Sequence, residues 1–335
     1  MAIFVILAVA GLAGAFAQTK SSGSMAMSWA FEGSHIGYLM AIEKGLYKEE
    51  GVDVKVNRGF GAADTIRRMI TGDIDFGVID ATLMIRAVSE DPKNEMVMVA
   101  ATFQTSPYNV IYVKNRKIKS VTDLATAKFG NTGGSVATLY PTFLKYALKD
   151  IPTEKATVVQ LDPAVRMGAL LRGDVDVVAS VLFEWPHIQK AARDANVELG
   201  TINYADYGFD PYTYGIVVKR ELLNSHPDLV KRVVYASLKG WAAACSDRKT
   251  AIEILATYEP DVPREGLGEE IQIALQRIVP RGSDANKGLG AMSDARWKQT
   301  QDMTIEAFNI AKPVAVDNVY DVSFLPKTPL TAHCD

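Results

Sequence analysis

Two cysteines and four histidines are all that 335 residues offer of the side chains that most often hold metals. No His-Glu-x-x-His occurs and no cysteine pair supports a histidine, so a zinc centre is not expected. Nor is there a Gly-x-Ser-x-Gly elbow or a spacing of Ser, His and Asp that argues for a triad. The glycine-rich loops lack the Lys-Ser/Thr of a Walker loop, which argues against nucleotide hydrolysis. Neither sign of charge dominates. A formal net charge of -3 gives no bulk attraction to nucleic acid or to an anionic membrane. Catalytic residues, a metal and a cofactor are not expected, and function must lie in a local binding site.

What is present begins with an apolar run, "MAIFVILAVAGLAGAFA", ending in Ala15-Phe16-Ala17 and followed by the polar "QTKSSGS". This reads as a secretory signal over 1–17, although no Lys or Arg precedes the apolar run. Gln18 stands where a bacterial lipid anchor needs Cys. The mature chain is expected to be periplasmic. Cys245, in an apolar helical stretch, and Cys334, in the tail, are too few and too distant to make a disulfide framework. Cys245 is expected to be a buried free thiol.

The segments "AADTIRRMITGDIDFGVI" (62–79) and "PAVRMGALLRGDVDVVAS" (163–180) share one order: helix, Gly-Asp-x-Asp turn, strand. Glycine ends such helices because it takes the left-handed conformation without a Cβ clash. Two copies suggest two similar α/β units instead of one large sheet. Pro-Tyr followed by a β-rich run occurs before each crossing, at Val110 to Val113 and Gly215 to Val218. Two such crossings side by side would make a hinge. Beyond Glu221 the chain reads as mostly helical, including "PDLVKRVVYASLKGWAAACS" and "DARWKQTQDMTIEAFNIA". "RGSDANKGLGAMSD" between them is expected to be a surface loop.

Ligands of open α/β sheets gather where a strand's carboxyl end meets the next helix. Met27 to Val56 reads as a strand carrying Trp29 and Phe31, a turn of Glu32, Gly33, Ser34 and His35, a helix closed by Gly45, and a second strand from Val52. "GNTGGSVATLYPTFL" places Thr132, Gly133, Gly134 and Ser135 before a helix; this is either a bare turn or a ligand-facing helix start. Gly59 and Phe60 in "GFGAADT", and Asp80, also follow strands and could be ordinary turn residues. Trp29, Trp185 with Glu184, and Tyr212 are either core, the commoner place of an aromatic, or a stacking platform. Arg166 could meet a carboxylate or stay solvated.

"GYLMAIEKGLYKEEGVDVKV", "GDIDFGVID", "IKSVTDLATAKFG" and "LLRGDVDVVA" resemble the substrate-binding proteins of bacterial ABC importers. The branch is the one with nitrate, sulfonate, riboflavin and thiamine-pyrimidine-precursor binders. The likeness runs from about Met27 to Pro326. It implies a type II periplasmic binding protein: two α/β lobes, 24–110 plus 216–335 and 111–215, joined by a two-segment hinge. It also implies an interlobe site drawn from Trp29, Gly33, Ser34, His35, Gly59, Phe60, Asp80, Thr132 to Ser135, Glu184 and Trp185, with Tyr212 near the second crossing. The expected partners are a small, flat organic ligand and an inner-membrane permease, met by a monomer. The alternatives are a receptor for sulfonate, nitrate or carboxylate, and an enzyme like the pyrimidine-precursor synthases, whose cysteine-rich stretch is missing here.

Overall fold

The computed structural model describes residues 21–132, 134–278, 286–332 and 334; the signal sequence expected over 1–17 lies outside them. The chain opens with β1 (Ser22–Ala26), β2 (Asp53–Asn57), β3 (Phe76–Asp80) and β4 (Met96–Ala101). It continues through β5 (Tyr108–Val113), β6 (Lys128–Asn131), β7 (Thr157–Gln160), β8 (Val177–Val181) and β9 (Leu199–Asn203), and returns as β10 (Tyr214–Lys219). These form two five-stranded sheets, ordered β2-β1-β3-β10-β4 and β7-β6-β8-β5-β9. In each, three strands run parallel and the strand next to them runs antiparallel: β10 on β3, β5 on β8. The two sheets share one plan.

The repeated Gly-Asp-x-Asp shows why. Helix α3 (Ala62–Thr71) ends at Gly72 with φ 81°, and α6 (Arg166–Arg172) ends at Gly173 with φ 85°. The second aspartate then clamps the neighbouring strand. Asp75 Oδ2 accepts from Ser24 N–H on β1 at 2.9 Å, and Asp176 Oδ2 accepts from Lys128 N–H on β6 at 2.7 Å. Each motif therefore ends a helix and pins the next strand in register.

The first strand differs from expectation. β1 occupies Ser22–Ala26, starting within the polar run "QTKSSGS", and Trp29 and Phe31 lie on the loop after it. Its small residues lack alternating apolar bulk; Asp75 bonding and a parallel partner on each side hold it instead. The expected breaks at 110/111 and 215/216 cut through β5 and β10. All of β5 pairs in the second sheet and all of β10 in the first.

Helices α1 (Ile36–Glu43), α2 (Leu46–Glu49) and α4 (Ala81–Glu90) complete the first half of lobe 1, while α5 (Gly134–Leu148) and α7 (Trp185–Asp194) join α6 in lobe 2. After β10 come α8 (Arg220–Ser225), α9 (Pro227–Ser246), α10 (Arg248–Tyr258), α11 (Arg264–Ile278) and α12 (Asp294–Phe308). Among the described residues no helix is long and apolar enough to cross a membrane. Apolar side chains line both faces of each sheet, with Met25 on one face of β1 and Ala26 on the other. Helix α12 joins two of these cores: Trp297 packs in lobe 1, Met303 in lobe 2.

Two further expectations are corrected. Cys245 is not a free thiol but is bonded to Cys334, with Cα atoms 4.6 Å apart, because the tail folds back onto the end of α9. The second half of "RGSDANKGLGAMSD" is not a surface loop. Leu289, Ala291 and Met292 are buried, Ala101 N–H donates to Gly290 O, and Gln104 Nε2 donates to Ala291 O at 2.9 Å. Residues 281–285 of that stretch lie outside the described residues.

Candidate functional site

The turns that follow β1 and β8, one from each sheet, both pack against α11, so strand ends of the two sheets meet there, the usual ligand position of such sheets. The loops after β1 and β2 are clasped: Gly59 N–H donates to Trp29 O at 2.6 Å and Gly61 N–H to Ser28 O at 2.9 Å. A Cβ on Gly59 would lie 2.1 Å from Met27 O, so the clasp admits only glycine there. It leaves Trp29 58% and Phe60 68% exposed, with the Arg58 guanidinium 4.8 Å from the centre of the Phe60 ring. Both side chains are therefore surface aromatics rather than core.

The next turn faces inward. Gly33 N–H donates to Glu270 Oε2 at 3.0 Å, and a Cβ on Gly33 would lie 2.6 Å from the Glu270 backbone carbon. Ser34 Oγ donates to Glu32 Oε1 at 2.6 Å. His35, expected in the interlobe site, is buried beneath the start of α1, and burial pushes its pKa down to about 3, so it stays neutral. Across the junction, His187 Nε2 of α7 lies 2.7 Å from Glu270 Oε1 of α11.

Four carboxylates thus crowd one region. Burial raises the pKa of Glu32 to about 8, with the charges of Glu270, Glu184 and Glu259 adding to the rise. Burial also raises Glu259 and Glu270 to about 7; Glu270 repels Glu259, while the Gly33 N–H offsets part of the Glu270 shift. Glu184 is the one with a cation: its Oε2 accepts from Arg166 Nη2 at 3.0 Å and from Ser180 Oγ at 2.7 Å. Arg166 is therefore paired, and its Nη1 also donates to Ala179 O at 3.2 Å.

Beside Ser180 stands a residue that sequence reasoning passed over. Asn109 of β5 faces Ser180 and Asn203 in register and is fully buried. Among the described residues both its amide atoms lack a hydrogen-bond partner, as do Asn203 Oδ1 and Arg166 Nε. Buried amides are nearly always partnered, which makes Asn109 a candidate site residue. The only signal was one polar residue inside the apolar run "YNVIYV". Tyr214, at the start of β10, is half-buried; burial raises its pKa, with Asp80, Glu32 and Glu184 adding to the shift.

Three expected ligand contacts are engaged elsewhere. Asp80 caps α4, accepting from Thr82 N–H at 2.8 Å and Thr82 Oγ1 at 2.6 Å, and takes the Tyr108 hydroxyl as well. It ties lobe 1 to the first strand of lobe 2. Tyr212 is fully buried against Trp297, with Arg296 over its ring, because the second crossing packs on α12. Trp185 packs on the apolar cluster that includes Ile188 and lines a groove with Lys114, Gln189 and Arg193. Thr132 is half-buried ahead of α5, whose start at Gly134 gives the expected helix N-terminus; Ser135 follows in its first turn, and Gly133 lies outside the described residues.

Two like sheets, two crossings and a junction of strand ends define the two-lobed periplasmic binding protein fold. The alkanesulfonate-binding protein SsuA of Xanthomonas axonopodis pv. citri shares it, with a TM-score of 0.69 and 16% identity over 91% of this chain and 99% of that one. The chain belongs to the NMT1/THI5-like family, whose profile matches residues 32–251. It is 24% identical to the riboflavin-binding protein RibY of Chloroflexus aurantiacus, over 92% of this chain and 87% of the relative. It is 21% identical to the formylaminopyrimidine-binding protein of Halalkalibacterium halodurans, over 95% and 97%. A third relative, 23% identical over 94% and 96%, is the 4-amino-5-hydroxymethyl-2-methylpyrimidine phosphate synthase of Legionella pneumophila.

Proposed function

We propose that the protein is an exported solute receptor of an ABC importer that captures a flat heteroaromatic molecule between its lobes and delivers it, as a monomer, to an inner-membrane permease. The exposed pair Trp29 and Phe60 carries this reading, since stacking suits a planar ring and an exposed indole has little other use. Asn109 fits the same class. Its amide offers a donor and an acceptor side by side, the complement of a lactam or aminopyrimidine edge. Named relatives that bind riboflavin and formylaminopyrimidine agree with a heterocycle. An anion is less well served, because the Arg166 charge is already met by Glu184. A synthase role resting on a cysteine-rich stretch has little support either, since both cysteines are joined in the disulfide. That bond agrees with an oxidising compartment.

The test is a thermal-shift screen against pyrimidines, flavins, aromatic carboxylates, sulfonates and nitrate. A ligand at 100 times its Kd stabilises by about 2.7 kcal/mol, a shift of several degrees. Flat heterocycles should shift the wild type, and Trp29→Ala should weaken the best of them about tenfold, in line with a stacking contact plus its buried area. Shifts with sulfonate or nitrate alone would overturn the reading.

A further inference from the structure

Beyond the ligand site, the junction holds a set of donors with the chemistry of a metal centre. We propose that His187, Glu259 and Glu270 bind one divalent transition-metal ion, of the Zn²⁺ type, and that the ion latches lobe 2 to lobe 1. One ligand atom from each residue lies within 4.8 Å of the others. Zinc holds His nitrogen and carboxylate oxygen at about 2.0 to 2.2 Å, which puts such atoms roughly 3 to 4 Å apart. Only the exposed His187 ring and the half-buried Glu259 need adjust.

Glu270 makes this more than an acidic cluster. Its side chain is 1% exposed, and its Oε2 is fixed by the Gly33 N–H at 3.0 Å, which aims the carboxylate. Among the described residues the other oxygen, Oε1, has no hydrogen-bond partner; the 2.7 Å approach of His187 Nε2 satisfies distance but not hydrogen-bond geometry. Among the same residues Glu259 Oε1 is likewise buried without a partner. Two unpartnered carboxylate oxygens beside an imidazole nitrogen ask for a shared cation. The mixed nitrogen and oxygen set selects a zinc-like ion over Mg²⁺ or Ca²⁺, which prefer oxygen alone. Because His187 stands on α7 and both glutamates on the lobe 1 side, binding would favour the state in which the lobes touch.

Calorimetric titration of tag-free protein, first stripped with chelator, tests this with ZnCl₂ and MgCl₂. One Zn²⁺ per chain should bind, Mg²⁺ should not compete, and zinc should raise the Tm. His187→Ala should weaken zinc at least about tenfold, and Glu270→Gln should do the same. His226→Ala, at a histidine outside the cluster, should leave it unchanged. Since His187 is exposed, its variant should fold, as far-ultraviolet circular dichroism would report. Wild-type zinc affinity in His187→Ala, or no stoichiometric binding at all, would overturn the proposal.

Discussion

Glu32 sits half-buried with three other carboxylates acting on it, and its position sets a pH dependence. Its pKa rises from 4.5 to about 8, and those of Glu259 and Glu270 to about 7. Groups whose folded pKa is raised contribute stability that is complete below pH 4.5 and is lost as pH climbs through 7 and 8. His35 runs the other way. Its pKa falls from 6.5 to about 3, so its contribution grows with pH across that interval and is complete by 6.5. Between pH 6.5 and 8 only the loss from the glutamates remains. In buffer containing chelator the Tm should fall over that interval, and Glu32→Gln should fall less steeply; equal slopes in calorimetric scans would contradict this. The candidate site was partly legible in the sequence. Strand-end position marked Trp29, Phe60 and Glu184, since turn residues announce themselves. The cap that Asp80 makes on Thr82 is local in sequence, but Tyr108 reaches Asp80 and Trp297 packs on Tyr212 only through the fold. Asn109 and Glu270 were hidden for the opposite reason: each is a polar residue within an apolar pattern.

At the scale of elements, the tightest contact is the crossing of α1 and α9. A Cβ on Gly240 would lie 2.0 Å from Gly37 O, and one on Gly37 would lie 2.2 Å from the Trp241 indole. Each glycine lets the other's helix approach, and a backbone carbonyl cannot swing away as a side chain can. Gly240→Ala should therefore cost about 1 to 3 kcal/mol or more in urea unfolding. Gly266, inside α11, is the control. Its nearest neighbour would be Val262 Cγ1 at 3.5 Å, so Gly266→Ala should be neutral or stabilise by up to about 1 kcal/mol. Similar losses from both substitutions would show that helix propensity, not close approach, governs these positions. Elements with strong local signals were readable: the repeated Gly-Asp-x-Asp turns and α9 at Pro227–Ser246 stand where the pattern puts them. β1 was misread because its stability comes from Asp75 and two parallel partners, none of them local in sequence.

Over the whole molecule, lobe 1 is assembled from both ends of the chain, and that assembly needs fastening. The return segment packs through α9, α11 and α12, but its last residues reach the body through Cys334, bonded to Cys245 across 89 residues. A link closing so long a loop restricts the unfolded chain strongly. The chain-entropy treatment gives about 4 to 5 kcal/mol for a loop of this size, with measured bonds commonly at about 2 to 4. In a protein this large each kcal/mol moves the Tm by roughly 2 °C. Cys245→Ser, or reduction of the wild type, should accordingly lower the Tm by about 4 to 8 °C. Ligand capture should survive, because the clasped loops of Trp29 and Phe60 and the polar set around Asn109 touch neither cysteine. Affinity lost in parallel with the Tm would instead make the tail part of the junction. An unchanged Tm on reduction would mean that packing of Phe324, Leu325 and Leu330 on the lobe 1 core already holds the tail in place.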